Sequence, residues 1–157
     1  MLTIYTDGAC KGNPGPGGWG MVLKSVDRVL ERGGREDATT NNRMELLAAI
    51  EALTQVQPGM RTCICSDSKY VMQGIQEWII GWKRNGWRNA AGKPVANQDL
   101  WQRLDGLVTR TPVTWKYVAA HTGIPGNERA DAIASAFALG QMPVLYDGPL
   151  SDYSRQL

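Results

Sequence analysis

An α/β fold with a mixed sheet is predicted by three observations along the 157 residues of the chain. Three β-type runs joined by turn-forming residues occupy its first third. A long stretch of helical periodicity follows them, Met44 to Val56. The next β-type run, Arg61 to Asp67, is reached only through that helix, which favours pairing it parallel to an earlier strand.

Leu2 to Asp7 is rich in β-branched and aromatic residues and reads as the first strand. The Gly/Pro-dense loop Lys11 to Gly18 excludes regular structure. Trp19 to Leu23 and about Val29 to Gly34 complete an antiparallel meander, with a turn near Ser25 to Arg28. Thr39-Thr40-Asn41-Asn42 offers several N-caps, and Glu45 stands three residues after Asn42, as in a capping box. Leu46, Leu47, Ile50, Leu53 and Val56 keep helical spacing until Pro58-Gly59 stops it. Beyond Asp67 a helix opens at Ser68 and runs to about Gly74. Then come a helix from about Asn97 to Val108, a strand from Val113 to Val118, and the Ala-rich helix Glu128 to Leu139. Residues 1–142 form one domain with no internal repeat, and residues 143–157 are expected to be a loosely ordered tail.

Composition narrows the class. With 43% hydrophobic and 20% charged residues, the chain is neither disordered nor a coiled coil. No apolar run approaches the roughly 20 residues of a membrane span, and with no basic and apolar leader visible before the first strand, no secretory signal is expected. The three cysteines, Cys10, Cys63 and Cys65, suit a reducing cytoplasm. A single histidine, His121, leaves no Cys/His zinc set. Cys63 and Cys65, alternating around Ile64, read as buried packing, and Trp101 and Trp115 as core.

The net charge of +2 hides an uneven distribution. From Trp78 to Gln98 there are four basic residues, Lys83, Arg84, Arg88 and Lys93, and no acidic one. Three of the six tryptophans, Trp78, Trp82 and Trp87, lie in the same window. A cationic, aromatic element of this kind suits a groove that grips nucleic-acid sugars and phosphates. Trp78 also keeps helical spacing with Ile75 and Ile79, so part of it belongs to the core.

Four carboxylates mark the other candidate site. Asp7 and Asp67 each follow an apolar strand. If those strands are parallel neighbours, both acids sit near carboxyl ends, where open α/β sheets place their ligands. Each also suits a plain turn-capping role. Ala48, Ala49 and Ala52 share the helix face of Glu45, so that face can pack closely. Asp131, in the first turn of the last helix, could instead serve the helix dipole. Clustered carboxylates stay ionised together only with a compensating cation, and oxygen-only ligands favour Mg²⁺ or Mn²⁺. Such sites perform in-line displacement at phosphorus. His121, in a Gly-rich loop before Asp131, could carry protons. Gly15 to Gly20 formally satisfies G-x-G-x-x-G, but a strand and not a helix follows it, so the dinucleotide mechanism fails.

The motifs Tyr5-Thr6-Asp7-Gly8-Ala9-Cys10, Asn13 to Gly18, Thr39 to Glu45, Ser66-Asp67-Ser68 and His121 to Asp131 occur in that order. Together they resemble the pattern of bacterial type 1 ribonucleases H over about Leu2 to Leu139. The resemblance implies a five-stranded mixed sheet flanked by helices, with the basic window as a protruding handle. It implies an endonuclease that cuts the RNA strand of RNA–DNA hybrids, leaving 5′-phosphate and 3′-hydroxyl ends. Asp7, Glu45, Asp67 and Asp131 would hold the metal, with His121 as proton carrier or product-release aid. Cys10, Asn13, Asn41 and Asn42 would face the hybrid, with Thr40 beside them and Trp78, Trp82, Lys83, Arg84 and Arg88 on the handle. Small polar groups suit the 2′-hydroxyls of a wide minor groove. Lys69 departs from the glutamine common there in relatives; it donates but cannot accept, and a phosphate contact is expected. The protein is expected to act as a monomer. A transposase- or integrase-like core on the same fold would instead cut duplex DNA.

Overall fold

The computed structural model describes residues 1–157. Its strands are β1 (Leu2–Cys10), β2 (Gly15–Lys24), β3 (Arg28–Thr39), β4 (Thr62–Ser66), β5 (Val113–Tyr117) and β6 (Asp147–Pro149). The helices are α1 (Asn41–Thr54), α2 (Lys69–Gln73), α3 (Ile79–Arg84), α4 (Gln98–Arg110) and α5 (Pro125–Ala138). All strands join one mixed sheet in the order β5-β4-β1-β2-β3-β6. β1, β2 and β3 form the antiparallel meander, while β4 lies parallel to both β1 and β5.

Two apolar layers hold the sheet. On one face α1 and α4 bury the larger cluster, in which Ile4, Ile50, Leu53, Ile64, Trp101 and Leu104 are fully buried. On the other face α5 packs against β1, β2 and β3 through Ala130 and Ile133. Trp101 is core as expected, and Trp115 is half-buried against the same cluster.

The sheet has six strands, one more than expected, because the tail is not loose. β6 pairs antiparallel with the start of β3, and Leu150–Asp152 forms a turn of 3₁₀ helix. The cause is Glu31, whose side chain is 1% exposed and needs hydrogen-bond partners. Arg129 donates twice to it, at 2.8 and 3.0 Å, the Tyr153 hydroxyl at 2.6 Å and the Tyr146 N–H at 3.0 Å. Tyr146, Leu150, Tyr153 and Leu157 also pack on the α5 side. The stretch looks polar in sequence, yet its aromatic residues reach one buried carboxylate.

Element boundaries differ in ways that matter for the site. Thr40 is the N-cap of α1, its Oγ1 accepting from the Arg43 N–H at 3.2 Å. The helix therefore begins before Asn42, no capping box forms, and Glu45 is released from cap duty. α5 opens at Pro125, which needs no N–H at a first-turn position. Asp131 consequently lies a turn deeper than expected, away from the helix end. The helix after Ser68 does not stop at Gly74. It continues through a π-type turn at Gly74–Trp78 into α3, so the basic window starts on a helix.

Candidate active site

Asp7 lies at the centre of the site. It follows Thr6, which is level with Ser66 across the β1/β4 ladder, so Asp67 emerges beside it. On its other side Asp7 is level with Gly20 of β2. Two glycines bring the helices in. A Cβ on Gly8 would stand 2.5 Å from the Glu45 backbone nitrogen, so only glycine lets α1 approach this closely. A Cβ on Gly20 would stand 2.5 Å from the Ala130 carbonyl oxygen of α5, one residue before Asp131.

One carboxylate oxygen from each of Asp7, Glu45 and Asp67 lies within 4.8 Å of the others. Asp7 is 4% exposed, and Glu45 and Asp67 are half-buried. Burial pushes the Asp7 carboxyl up to about 10, and the charges of Glu45 and Asp67 add to it. Asp131 lies outside that group of three, accepting from the Ser135 hydroxyl at 3.5 Å, and adds to the rise at Asp7. Burial also raises Glu45 well above the usual carboxylate range, followed by the Asp67 charge. Asp67 is raised by burial too, against hydrogen bonds from Asp7 and Asn127 that lower it.

These residues fit a hard divalent cation. None of the five ion pairs in the molecule involves any of the four acids. Glu45 Oε2 is buried without a hydrogen-bond partner. Crowded carboxylates with no protein cation and an orphaned oxygen need either a proton or a metal.

Asn127 is the residue that sequence reasoning passed over. It is 2% exposed, it directs its side chain at Asp67, and its Oδ1 has no partner. The available signal was spacing, since Asn127 precedes Asp131 by four residues on one helix face. His121 is exposed, with a φ of 56° in the left-handed region, and its charge lowers Asp67 across the gap. Its loop is tied to α5 by the Gly123 N–H, which donates to Glu128 Oε1 at 3.1 Å.

The expected substrate residues divide. Asn41 and Asn42 are exposed, while Thr40 is half-buried and occupied as N-cap. Asn13 Oδ1 accepts from the Asn41 N–H at 2.9 Å, joining the Gly/Pro loop to the start of α1. The Cys10 sulfur is turned inward, donating to the Gly15 and Thr39 carbonyls at 3.5 Å. Lys69 is exposed at the start of α2.

On the handle, Trp78 meets Tyr70 edge-on at 5.8 Å between centroids, and Trp82 meets Trp101 at 5.3 Å. The ring series thus roots the protrusion in the core. Lys83, Arg84 and Arg88 are exposed, but Lys83 is paired with Asp105 at 3.3 Å and Arg88 donates to the Gly92 carbonyl at 2.9 Å. Cys63 corrects the expectation of burial: it is half-buried, and only Cys65 is enclosed.

An acid cluster at the carboxyl ends of parallel strands, in a chain that also carries a cationic aromatic protrusion, points to an α/β protein of the nuclease class. The RNase H family model matches residues 1–138. A ribonuclease H of Cyanothece sp. is 59% identical over 145 residues, 90% of this chain and 92% of that protein. A ribonuclease HI of Pseudomonas putida is 56% identical over 136 residues, 85% and 90% respectively. Among solved structures, LC9-RNase H1, a type 1 RNase H with the type 2 active-site motif, superposes with a TM-score of 0.79. It is 32% identical, over 94% of this chain and 77% of that one. LC11-RNase H1 in complex with RNA/DNA hybrid shares the fold at a TM-score of 0.68 and 21% identity, over 89% and 98%. The chain belongs to the ribonuclease H family. Its activity is hydrolysis of the RNA strand of RNA–DNA hybrids.

Proposed function

We propose that the chain cuts hybrids as a Mg²⁺-dependent endonuclease, with Mn²⁺ able to substitute, leaving 5′-phosphate and 3′-hydroxyl ends. The observation that carries this reading is the convergence of Asp7, Glu45 and Asp67 within 4.8 Å without a protein cation. Asp7, Glu45, Asp67 and Asp131 would hold the metal. When bound, two such ions supply activation of the attacking water and stabilisation of the leaving oxygen. Asp7, buried and level with Gly20, fixes the centre of the set. Asn127, whose side-chain amide lowers the Asp67 carboxyl, would orient that carboxylate. His121, exposed on a loop tied to α5, carries protons to and from the site.

The hybrid would lie from the acids across Asn41 and Asn42 to the handle. The amides of Asn41 and Asn42 can both donate and accept, as 2′-hydroxyl recognition requires. Asn13, Cys10 and Thr40 shape that surface by holding the Gly/Pro loop against the start of α1. Lys69, Lys83, Arg84 and Arg88 would meet phosphates, while Trp78 and Trp82 offer apolar faces to sugars. The protein acts as a monomer in the cytoplasm. No helix is long and apolar enough to cross a membrane.

The test is incubation with labelled RNA–DNA, RNA–RNA and DNA–DNA duplexes, each with Mg²⁺ or with EDTA. Cleavage is expected only in the RNA strand of the hybrid and only with metal. Cutting of duplex DNA, or activity in EDTA, would contradict the reading.

A further inference from the structure

We propose that the buried Glu31–Arg129 pair, enclosed by Tyr146 and Tyr153, is a positioning lock that sets the rotation of α5 and so places Asp131 and Asn127 at the metal site. The role presupposes that Asp131 holds metal, the reading given above. The Glu31 and Arg129 side chains are 1% and 11% exposed and meet through two hydrogen bonds to separate oxygens, at 2.8 and 3.0 Å. Neither residue is hydrogen-bonded to any of the four acids.

The other contacts of α5 with the sheet fix its distance more than its rotation. A Cβ on Gly18 would strike the Ala134 carbonyl oxygen, and one on Gly33 would stand 2.5 Å from the Phe137 ring. Glycines facing small residues such as Ala130 and Ala134 let a helix lie close, but they offer few ridges to stop it turning. The guanidinium–carboxylate contact is directional and supplies that stop. At about 100° per residue, Asn127 and Asp131 both lie about 160° from Arg129 around the helix axis. Holding Arg129 on β3 therefore turns those two residues towards β1 and β4, at the opposite side of the helix. Asn127 is 2% exposed and reaches Asp67, and Asp131 is the one acid of the four that α5 carries. With side chains about 5–6 Å from the axis, a turn of about 5° would shift the Asp131 carboxylate by about half an ångström.

The C-terminal segment keeps the lock rigid. The Tyr153 hydroxyl donates to Glu31 Oε2 at 2.6 Å and the Tyr146 N–H to Oε1 at 3.0 Å, so Arg129 and the tail share both carboxylate oxygens. Arg129 donates in turn to the Val144 carbonyl at 3.0 Å. An exposed ion pair of this kind would be loose and screened, whereas a desolvated and fully hydrogen-bonded one holds a single geometry. Farther along, Arg155 and Gln156 line one cleft with Pro125, Glu128 and Ala132 of α5. Glu128 is the residue that ties down the His121 loop.

The test is binding of Mn²⁺ to the resting protein, read from the electron paramagnetic resonance of the free ion, beside steady-state cleavage of a labelled hybrid. Glu31→Gln is expected to weaken Mn²⁺ binding about fivefold, the scale on which residues coupled to a site act without touching its ligand. Its kcat at limiting metal should fall by a similar factor, with KM for the hybrid within about twofold of wild type. Tyr153→Phe should move both quantities the same way by less, and it carries the test if Glu31→Gln does not fold. Leu107→Ala, cut from the core on the other face of the sheet, should lower the melting temperature and leave Mn²⁺ affinity at the wild-type value. Wild-type Mn²⁺ affinity in Glu31→Gln and Tyr153→Phe, with melting temperatures lowered as in Leu107→Ala, would overturn the lock and leave a merely structural pair. Asp131→Asn distinguishes that failure from failure of the site reading. It should bind Mn²⁺ more weakly than Glu31→Gln, and unchanged affinity there would overturn the assignment of Asp131 to the metal.

Discussion

Asp7, Glu45 and Asp67 arrive at one point from β1, α1 and the end of β4, whereas Lys83, Arg84 and Arg88 lie along one stretch of chain. The acids are drawn together by long-range packing in which glycines at positions 8 and 20 leave no room for a side chain. The basic residues need no such convergence, since they project from α3 and the loop after it. The tryptophans beneath them supply the anchor through Tyr70 and Trp101. Chemistry at phosphorus demands fixed positions, and electrostatic binding tolerates loose ones. The two regions are built accordingly, so substitutions should separate them.

Short of removing an acid itself, the largest effect is expected from Gly8→Ala. Its new Cβ would meet the Glu45 backbone at 2.5 Å and push α1 outward. Overpacking of this kind costs about 1–3 kcal/mol, readable as a lower denaturant midpoint. Misplacing Glu45 by about 1 Å should cut cleavage about 100-fold, while hybrid affinity, measured by anisotropy, stays close to wild type.

Neutralising the handle should do the reverse on a smaller scale. Lys83→Ala/Arg84→Ala/Arg88→Ala is expected to raise KM about 10-fold and leave kcat within about twofold. The salt slope of binding should fall by up to about one for each phosphate deprived of its cationic partner. Lys83 should contribute least, because its ammonium is already paired with Asp105. An unchanged slope would remove the handle from the interface.

The smallest effect concerns the tail. Burial raises the Glu31 carboxyl, but hydrogen bonds from Arg129, Tyr153 and Tyr146 overcome it, so its pKa falls below the ordinary value. The stabilisation is therefore complete above the unfolded-state pKa and disappears as pH falls through the lower folded-state value. Thermal melts should show Glu31→Gln below wild type at neutral pH, with the gap narrowing under about pH 4.

Some of this was readable in the residues and some was not. β1 and α1 announce themselves by β-branched content and helical spacing, and the basic window by local charge. Asp7 and Asp67 could be paired once β4 was seen to return through a helix. The role of Glu45 stayed ambiguous in sequence because Asn42 offers a capping box; only Thr40 acting as the cap releases it. Asn127 and the ordered tail were missed because each depends on a distant partner, Asp67 for one and Glu31 for the other. Local pattern carries no record of such pairings. Cys63 was misjudged for a related reason, since β-type spacing does not tell how far a helix covers a sheet face, whereas Cys65 is buried as expected.

The central claim, that the acids perform the chemistry and the handle the gripping, is tested most directly by Asp7→Asn. Cleavage and binding of one labelled hybrid should be measured side by side in Mg²⁺. Cleavage is expected to fall at least about 1,000-fold, or about 4 kcal/mol, with the dissociation constant within about threefold of wild type. Surviving cleavage, or a loss of binding that matches the loss of cleavage, would contradict the account.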